Sequence, residues 1–143
     1  MSDYIETFRA VVYPWHCDHQ GHMTTMHYVG MFDAAFWQLL SAQGFTRAYL
    51  TEHKTGFVDL RDTIEYRAEL PVGSPVAIES GVTKVGNTSV VSFNRMRDSE
   101  TGQLAATSEK VTVYFDLEAR RKAPLPAGLK AGMELRLVAR EDG

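Results

Sequence analysis

The chain has little cysteine, no long apolar run and no excess of positive charge. Its single cysteine, Cys17, cannot form a disulfide within the chain, which favours a reducing compartment such as the cytoplasm. Its apolar runs are far shorter than the roughly 18 residues that suggest a membrane span, and its first ten residues, MSDYIETFRA, lack the basic-then-apolar order of a secretory signal. A net charge of −3 gives no basic surface of the kind that nucleic acid requires. We therefore expect a cytoplasmic protein with neither a membrane nor a nucleic-acid partner.

The remaining composition is that of an ordinary globular protein. The chain has 143 residues, of which 44% are hydrophobic and 23% charged, and this length is enough to bury a core. No internal repeat or low-complexity stretch divides it. We expect a single domain over residues 1–130 and a C-terminal extension over residues 131–143.

Hydrophobic periodicity predicts a strand followed by a long helix in the first third of the chain. Residues 6–13 alternate between the two sides of a strand and are followed by a proline. Apolar residues then recur at helical spacing over residues 25–43. Thr24 or Thr25 is suited to the N-cap of this helix, and Gly44 to its C-terminal cap. Because the helix is apolar over much of its circumference, we expect it to be largely enclosed.

The rest of the chain has a period of two, which is typical of strands. The Gly86-Asn87 pair and the turn at residues 98–102 indicate hairpins. The predicted strands lie at about residues 58–68, 76–85, 88–97 and 103–115. Short connections imply an antiparallel sheet, so the sequence predicts an α+β fold with the helix packed on the concave face of the sheet.

The segment WHCDHQGHMTTMHY, residues 15–28, holds four of the five histidines. His16, His19 and His22 are three residues apart, a spacing that would place them on one face of a helix. However, Gln20-Gly21 makes this segment a loop, and neither a second cluster nor a second cysteine completes a ligand set. We predict no metal here, with a zinc site as the less favoured alternative.

Several motifs carry a resemblance to a known enzyme family. The order of elements resembles the hotdog fold, and the loop and helix resemble acyl-CoA thioesterases of the hydroxybenzoyl-CoA thioesterase type in Asp18-His19-Gln20-Gly21-His22-Met23, Tyr28 and Phe32-Asp33. The betainyl-CoA thioesterase-like branch is most similar in Gly21-His22-Met23, Tyr66, Ala106-Thr107-Ser108-Glu109, Asp116, Arg120-Arg121 and Pro124-Leu125-Pro126. Over about residues 5–126, the resemblance implies a hotdog fold, in which a five-stranded antiparallel sheet wraps a long central helix.

The resemblance also implies a set of catalytic residues. It assigns the family's catalytic aspartate to Asp18, as nucleophile or general base, and its oxyanion donor to the backbone N–H near Thr25. His22 either positions the loop or donates to the substrate carbonyl. The alternative for Asp18 is a turn or capping residue. The branch usually has Asn where this chain has Thr24.

Two further carboxylates fall on strand faces that we expect to point inward. The expected inward residues are Val58, Leu60, Asp62, Ile64 and Tyr66 on one strand, and Glu109, Val111, Val113 and Phe115 on another. An unpaired buried carboxylate is costly, so Asp62 and Glu109 invite a functional interpretation, and Glu109 is the better catalytic candidate because its motif also resembles the family. Alternatively, a β-bulge exposes Asp62, and Glu109 caps the rim or pairs with an arginine.

The remaining candidates are a cysteine nucleophile, two arginines for the coenzyme A phosphates, and the residues expected to line the substrate pocket. Cys17 lies near two histidines, but the neighbouring Asp18 disfavours a thiolate, so we expect a structural role for Cys17. Arg120 and Arg121 suit the phosphates of coenzyme A, the alternative being a solvated basic turn. The expected pocket-lining residues include Met26, Phe36, Tyr66 and Met96.

Together these observations predict an acyl-CoA thioesterase that acts on a small to medium acyl group. It needs no cofactor, because coenzyme A is part of the substrate. Pairing of exposed sheet edges predicts a homodimer or homotetramer with active sites at the subunit interface. The alternatives are a hotdog hydratase or dehydratase that acts on acyl thioesters, and a noncatalytic acyl-CoA-binding module.

Overall fold

The computed structural model describes residues 3–142, which form one antiparallel sheet and three α-helices. The strands are β1 Ile5–Val11, β2 Thr55–Tyr66, β3 Pro75–Val85, β4 Ser89–Asp98, β5 Leu104–Asp116 and β6 Arg121–Lys122. The helices are α1 Thr25–Ala42, α2 Arg47–His53 and α3 Ala127–Glu134, together with one 3₁₀ turn at Pro14–His16. None of the helices within residues 3–142 is both long and apolar enough to cross a bilayer.

The sheet has the strand order β1-β3-β4-β5-β2, and β6 adds a two-residue pairing to β5. One face of the sheet covers α1, whose buried residues include Phe32, Phe36 and Leu39. This arrangement confirms the predicted α+β hotdog fold, with its long helix and five main strands. The prediction did not include the short elements α2, α3 and β6.

A polar band divides the buried core on the helix-facing side of the sheet. Apolar clusters lie on either side of it, one around Phe32 and Ile78 and the other around Phe36 and Val90. The band consists of Ser80, Ser92, Asn94, Ser108 and Lys110. The Lys110 side chain is only 2% exposed, and its ammonium lies 3.6 Å from the Asp33 carboxylate and 3.5 Å from that of Asp59.

The prediction that Glu109 points inward was wrong. Within β5, the neighbours Ser108 and Lys110 face the helix, so Glu109 points to the outer face, where Arg140 Nη1 donates to it at 2.9 Å. The pairing with an arginine, named above as the alternative, is the one that occurs. The alternation of apolar residues predicted the wrong face because Val111 and its neighbours on the outer face are themselves partly covered.

A bulge in β2 corrects the expected parity of that strand. The register against β5 shifts between Asp59 and Arg61, so Val58 and Leu60 are exposed. Beyond the bulge, Asp62 stays on the helix side, where Ser108 Oγ donates to its carboxylate at 2.6 Å. The sequence offered a β-bulge as an alternative, but the bulge that occurs exposes Val58 and Leu60 and not Asp62.

The residues after α3 cross the outer face of the sheet, and we call residues 135–142 the C-terminal strap. Val138 N–H donates to Val82 O at 2.9 Å, and a Cβ at Gly81 would overlap the Val138 side chain. Arg95, on β4, is 4% exposed and donates to Glu141. The expected extension begins at residue 131, inside α3.

Candidate active site

The loop before α1 is a tight turn closed by its own backbone. Cys17 and Met23 form an isolated antiparallel bridge, and Asp18 N–H donates to His22 O at 3.2 Å. Gly21 has φ +81°, a left-handed conformation that glycine adopts at little cost. Gly21 therefore allows the chain to reverse direction between Asp18 and His22 before it enters α1.

Asp18 holds a turn, which is the alternative role that the sequence left open, and it also lines a pocket. Its Oδ1 accepts the Gln20 N–H at 2.8 Å, which is an Asx turn. No residue within 3–142 donates to its Oδ2, and the side chain lines a surface pocket. One carboxylate oxygen thus holds the turn while the other is available to a substrate.

The N-terminus of α1 presents backbone donors beside this carboxylate. Thr24 occupies the N-cap position, but its side chain makes no capping hydrogen bond, and its buried Oγ1 has no partner within the described chain. The first-turn N–H groups near Thr25 are therefore not consumed by a side-chain cap. At the other end, Gln43 is the C-cap, and Gly44 follows it with φ +101°.

Asp18 and the helix N-terminus border one open pocket of about 340 Å³. Its lining residues are Asp18, Gln20, His22, Met23, Thr25, Tyr28, Tyr66, Arg67, Ala68 and Glu69. The pocket unites three of the four residues that the sequence analysis named as catalytic, namely Asp18, His22 and Thr25. Of the expected lining residues only Tyr66 is present; Phe36 and Met96 are buried in the core, and Met26 is exposed elsewhere on α1.

His22 has a carboxylate partner that the sequence analysis missed. His22 Nε2 lies 3.1 Å from Glu69 Oε2. The segment that carries Glu69 is joined to the loop by a hydrogen bond of 2.9 Å from Met23 N–H to Leu70 O and by a bridge between His22 and Pro71. Because His22 and Glu69 are 47 residues apart in the sequence, no local motif could have indicated this pair.

Two tyrosines form one wall of the pocket. The rings of Tyr28 and Tyr66 meet edge to face, with centroids 5.0 Å apart. Burial raises the pKa of the Tyr28 hydroxyl, and the neighbouring Tyr66 and Glu69 raise it further. Tyr28 therefore remains a neutral hydrogen-bond donor at physiological pH.

Glu109, Arg120 and Arg121 do not join this pocket. Glu109 lies on the outer face of the sheet, against Arg140. Arg120 lies in the turn between β5 and β6, and Arg121 begins β6, where it pairs with Asp116. Tyr66, at the pocket, pairs instead with Ala106, at the opposite end of β5.

Two further histidines, His16 and His27, pack beside the loop. His16 Nδ1 accepts the Tyr13 N–H at 2.9 Å, and its ring meets that of His27 at 4.9 Å. Burial, and then the neighbouring His27, lower the pKa of His16. Cys17 Sγ contacts Tyr13 O at 3.7 Å. No group of three or more metal-ligating side chains occurs in the part of the chain that the structure describes.

Comparison with known families agrees with this geometry. The model of the Thioesterase-like superfamily matches residues 12–133. The chain belongs to this superfamily. The match begins just before the Asp18 loop and ends within α3, so it includes every residue that lines the pocket.

Individual relatives are distant. The chain is 25% identical over 117 residues to the L-carnitine dehydrogenase/betainyl-CoA thioesterase of Rhizobium meliloti (strain 1021); the aligned region covers 82% of this chain but only 23% of that protein. A Staphylococcus aureus protein solved in complex with CoA superposes with a TM-score of 0.85, at 17% identity over 93% of this chain and 84% of the other. The probable thioesterase YbaW of Escherichia coli gives a TM-score of 0.79, at 21% identity over 91% and 97% of the two chains. These superpositions establish the shared fold.

Proposed function

We propose that this superfamily member hydrolyses acyl-CoA thioesters, with Asp18 as the working carboxylate. The observation that carries the proposal is the placement of the Asp18 side chain beside an uncapped helix N-terminus in one pocket. Thioester hydrolysis needs a carboxylate that attacks or activates water, and donors that stabilise the oxyanion. Membership of the Thioesterase-like superfamily supports this reaction over others.

In the proposed reaction, the thioester carbonyl lies between Asp18 and the first turn of α1. Either Asp18 attacks the carbonyl carbon to form a mixed anhydride that water then hydrolyses, or it removes a proton from water as the water attacks. Both routes pass through a tetrahedral oxyanion that the helix amides stabilise. Both release the coenzyme A thiolate, which takes up a proton, and both leave the free acid.

The pocket's charge favours a neutral or cationic acyl group over an anionic one. Asp18 and Glu69 are carboxylates, whereas Arg67 is the only permanent cation in the lining and pairs with Glu65 at 2.8 Å. Aromatic faces such as that of Tyr66 attract quaternary ammonium groups. A betainyl group, as in the name of the Rhizobium meliloti relative, combines small size with this charge.

The experiment that tests this function is thiol release from a panel of acyl-CoAs. Betainyl-CoA and 3,3-dimethylbutanoyl-CoA form a matched pair, because the two acyl groups have the same shape and differ only in charge, and succinyl-CoA supplies a negative charge. We expect turnover in the order cationic, neutral, anionic. Tight binding of every acyl-CoA without thiol release would contradict hydrolysis and support the noncatalytic binding module.

The pair of His22 and Glu69 favours one second candidate, a hydratase. Hydration of an enoyl thioester requires an acid–base pair, typically a histidine with a carboxylate, and Nε2 of His22 lies 3.1 Å from Glu69. Enoyl-CoA supplied in the same assay separates the two functions. A hydratase would consume the double bond, measured by its ultraviolet absorbance, without releasing thiol.

We further propose a homodimer, or a homotetramer built from it, that forms through the free edge of β2. Within residues 3–142, β2 pairs only with β5, so one side of its twelve-residue backbone has no strand partner. Exposed apolar side chains flank this edge on β2 and α1: Val58, Leu60, Met26, Val29 and Trp37. A second copy satisfies such an edge isologously. We place the protein in the cytoplasm, which its single cysteine supports.

A further inference from the structure

A short turn precedes the pocket loop, and a histidine side chain closes it. Residues 14–16 form one 3₁₀ turn, in which His16 N–H donates to Tyr13 O at 2.9 Å. In the opposite direction, Tyr13 N–H donates to His16 Nδ1, also at 2.9 Å. Backbone and side chain therefore both close residues 13–16, which we call the His16 turn.

The His16 turn supports the start of α1 and the loop that carries Asp18. His16 O accepts the Thr24 N–H at 2.9 Å, so the turn fixes the N-cap residue of the helix. The next residue, Cys17, forms the isolated bridge with Met23 that closes the loop around Asp18. A displacement of the turn therefore moves both components of the candidate site, the carboxylate and the backbone donors.

The hydrogen bond from Tyr13 sets the protonation state of His16. A ring nitrogen that accepts an N–H carries no proton, so the ring is neutral and its single proton is on Nε2. A second proton would go to Nδ1, where it would face the Tyr13 N–H, and two donors cannot form a hydrogen bond. The charged form of His16 is therefore incompatible with the closed turn.

The groups that face the His16 ring also disfavour its charge. His27, in the first turn of α1, meets the ring edge to face with centroids 4.9 Å apart, and the N-terminus of a helix disfavours positive charge. The rings of Tyr13 and Trp15 lie on the side of the turn itself, at 6.1 and 5.8 Å. Burial, and then His27, lower the pKa of His16, and within residues 3–142 no carboxylate forms an ion pair with it.

We propose that His16 is a pH-sensitive switch of the candidate active site: the neutral ring holds the Asp18 loop, and protonation of Nδ1 opens the His16 turn and suppresses turnover. The effect on turnover rests on the proposed function, whereas the opening of the turn does not. The switch responds on the acid side of neutrality, because an unperturbed histidine titrates at about pH 6.5 and His16 is shifted downward from there. One proton on one ring then acts on both Asp18 and the donors of α1.

The first test follows the turn itself through the fluorescence of Trp15. The chain has two tryptophans, so Trp37→Phe leaves Trp15 as the only one. Because Trp15 stacks on Tyr13 with centroids 4.4 Å apart, opening of the turn changes its environment. We expect its emission to change in a transition below neutral pH while far-ultraviolet circular dichroism stays constant. A change in both signals together would indicate global unfolding and would contradict the switch.

Three histidine variants in this background assign the transition. His16→Asn keeps an acceptor for the Tyr13 N–H but does not titrate, so the transition should disappear. His27→Gln removes the neighbouring imidazole, so we expect the midpoint to rise by about 0.5 pH unit, the scale of repulsion between exposed charges at this distance. His53→Gln, in α2 and stacked on Tyr49, is the control and should leave the midpoint unchanged. A transition that persists in His16→Asn, or a midpoint in His27→Gln equal to that of the control, would overturn the proposal.

The second test compares the pH profiles of turnover. Between pH 7.5 and 5.5, we expect kcat/KM of the wild type to fall at least about twofold further than that of His16→Asn, because the other titrating groups of the site are common to both proteins. Superimposable profiles would contradict a control of turnover by His16. A wild type that hydrolyses no thioester at any pH, yet shows a Trp15 transition that His16→Asn abolishes, would contradict the proposed function and support the opening of the turn.

Discussion

In this pocket, the chemistry available to a residue depends on which of its hydrogen-bonding groups have a partner within the described chain and which do not. Asp18 uses one carboxylate oxygen to hold its turn. Thr24 occupies the N-cap position of α1 without capping it. A side-chain cap would compete with an oxyanion for the same backbone donors, so the missing cap suits the site to an anionic intermediate.

Replacement of Thr24 by valine tests this interpretation of the N-cap. Because Thr24 Oγ1 is buried and without a partner, we expect Thr24→Val to leave the free energy of unfolding unchanged or to raise it slightly. Thr46→Val is the matched control, since Thr46 Oγ1 accepts the Tyr49 N–H at 3.1 Å and its loss should cost about 1 kcal/mol. Denaturant titration measures both. An equal loss in the two variants would show that Thr24 does cap its helix.

His16 predicts a pH dependence of stability. Burial, and then His27, lower its pKa in the folded chain, so the unfolded chain binds a proton at higher pH than the folded chain does. The stability from neutral His16 is complete above the unfolded pKa of about 6.5 and falls as the pH drops from there towards the lowered folded pKa. We expect the melting temperature to fall less between pH 7.5 and 5.5 in His16→Asn than in wild type. Parallel curves would contradict this role.

The sequence predicted the local part of the site and missed the long-range part. Asp18, His22 and Thr25 lie within eight residues, and one turn and one helix start suffice to bring them together. Glu69 reaches His22 only through the loop between β2 and β3, where no alternation or motif indicates a function. A contact between distant segments follows from the fold and not from any local pattern.

Among the elements, α1 was predictable because its apolar spacing is unambiguous, whereas the sheet faces were not. In β5, Lys110 faces Asp33 of α1, and Glu109 on the outer face pairs with Arg140 of the C-terminal strap, so polar residues occur on both faces. In β2, the bulge at Leu60 exchanges the faces partway along the strand. A strand buried on two sides, or interrupted by a bulge, lacks the single alternation from which burial is inferred.

The close approach of the strap to Gly81 gives an element-scale prediction. A methyl group there would overlap Val138, so Gly81→Ala should destabilise the fold by about 1–3 kcal/mol. It should also make residues 135–142 more sensitive to protease. Gly128→Ala, in α3 with open space around its Cβ, is the control and should be neutral or stabilising. Restoration of stability in the double variant G81A/V138A would support the contact, and its absence would contradict it.

At the scale of the whole molecule, the proposed dimer depends on the free edge of β2. Leu60 is 64% exposed at the bulge of that edge. We expect Leu60→Asp to dissociate the dimer, because a carboxylate would be buried opposite its own copy at the twofold axis. Light scattering after size-exclusion chromatography measures the mass. Leu135→Asp, on the strap and 87% exposed, should leave the assembly intact; dissociation in both variants, or in neither, would contradict an interface at β2.

The most direct test of the account is kcat/KM for Asp18→Asn on the best acyl-CoA of the panel, beside Asp98→Asn. The two aspartates share a structural role, since Asp98 Oδ1 also accepts backbone N–H groups, from Glu100 at 2.9 Å and Thr101 at 3.2 Å, but Asp98 lies outside the pocket. We predict a loss of at least about 100-fold in Asp18→Asn, the range for removal of a general base or nucleophile, and little change in Asp98→Asn. Equal activity in the two variants would show that Asp18 only holds its turn and would contradict its role as the catalytic carboxylate.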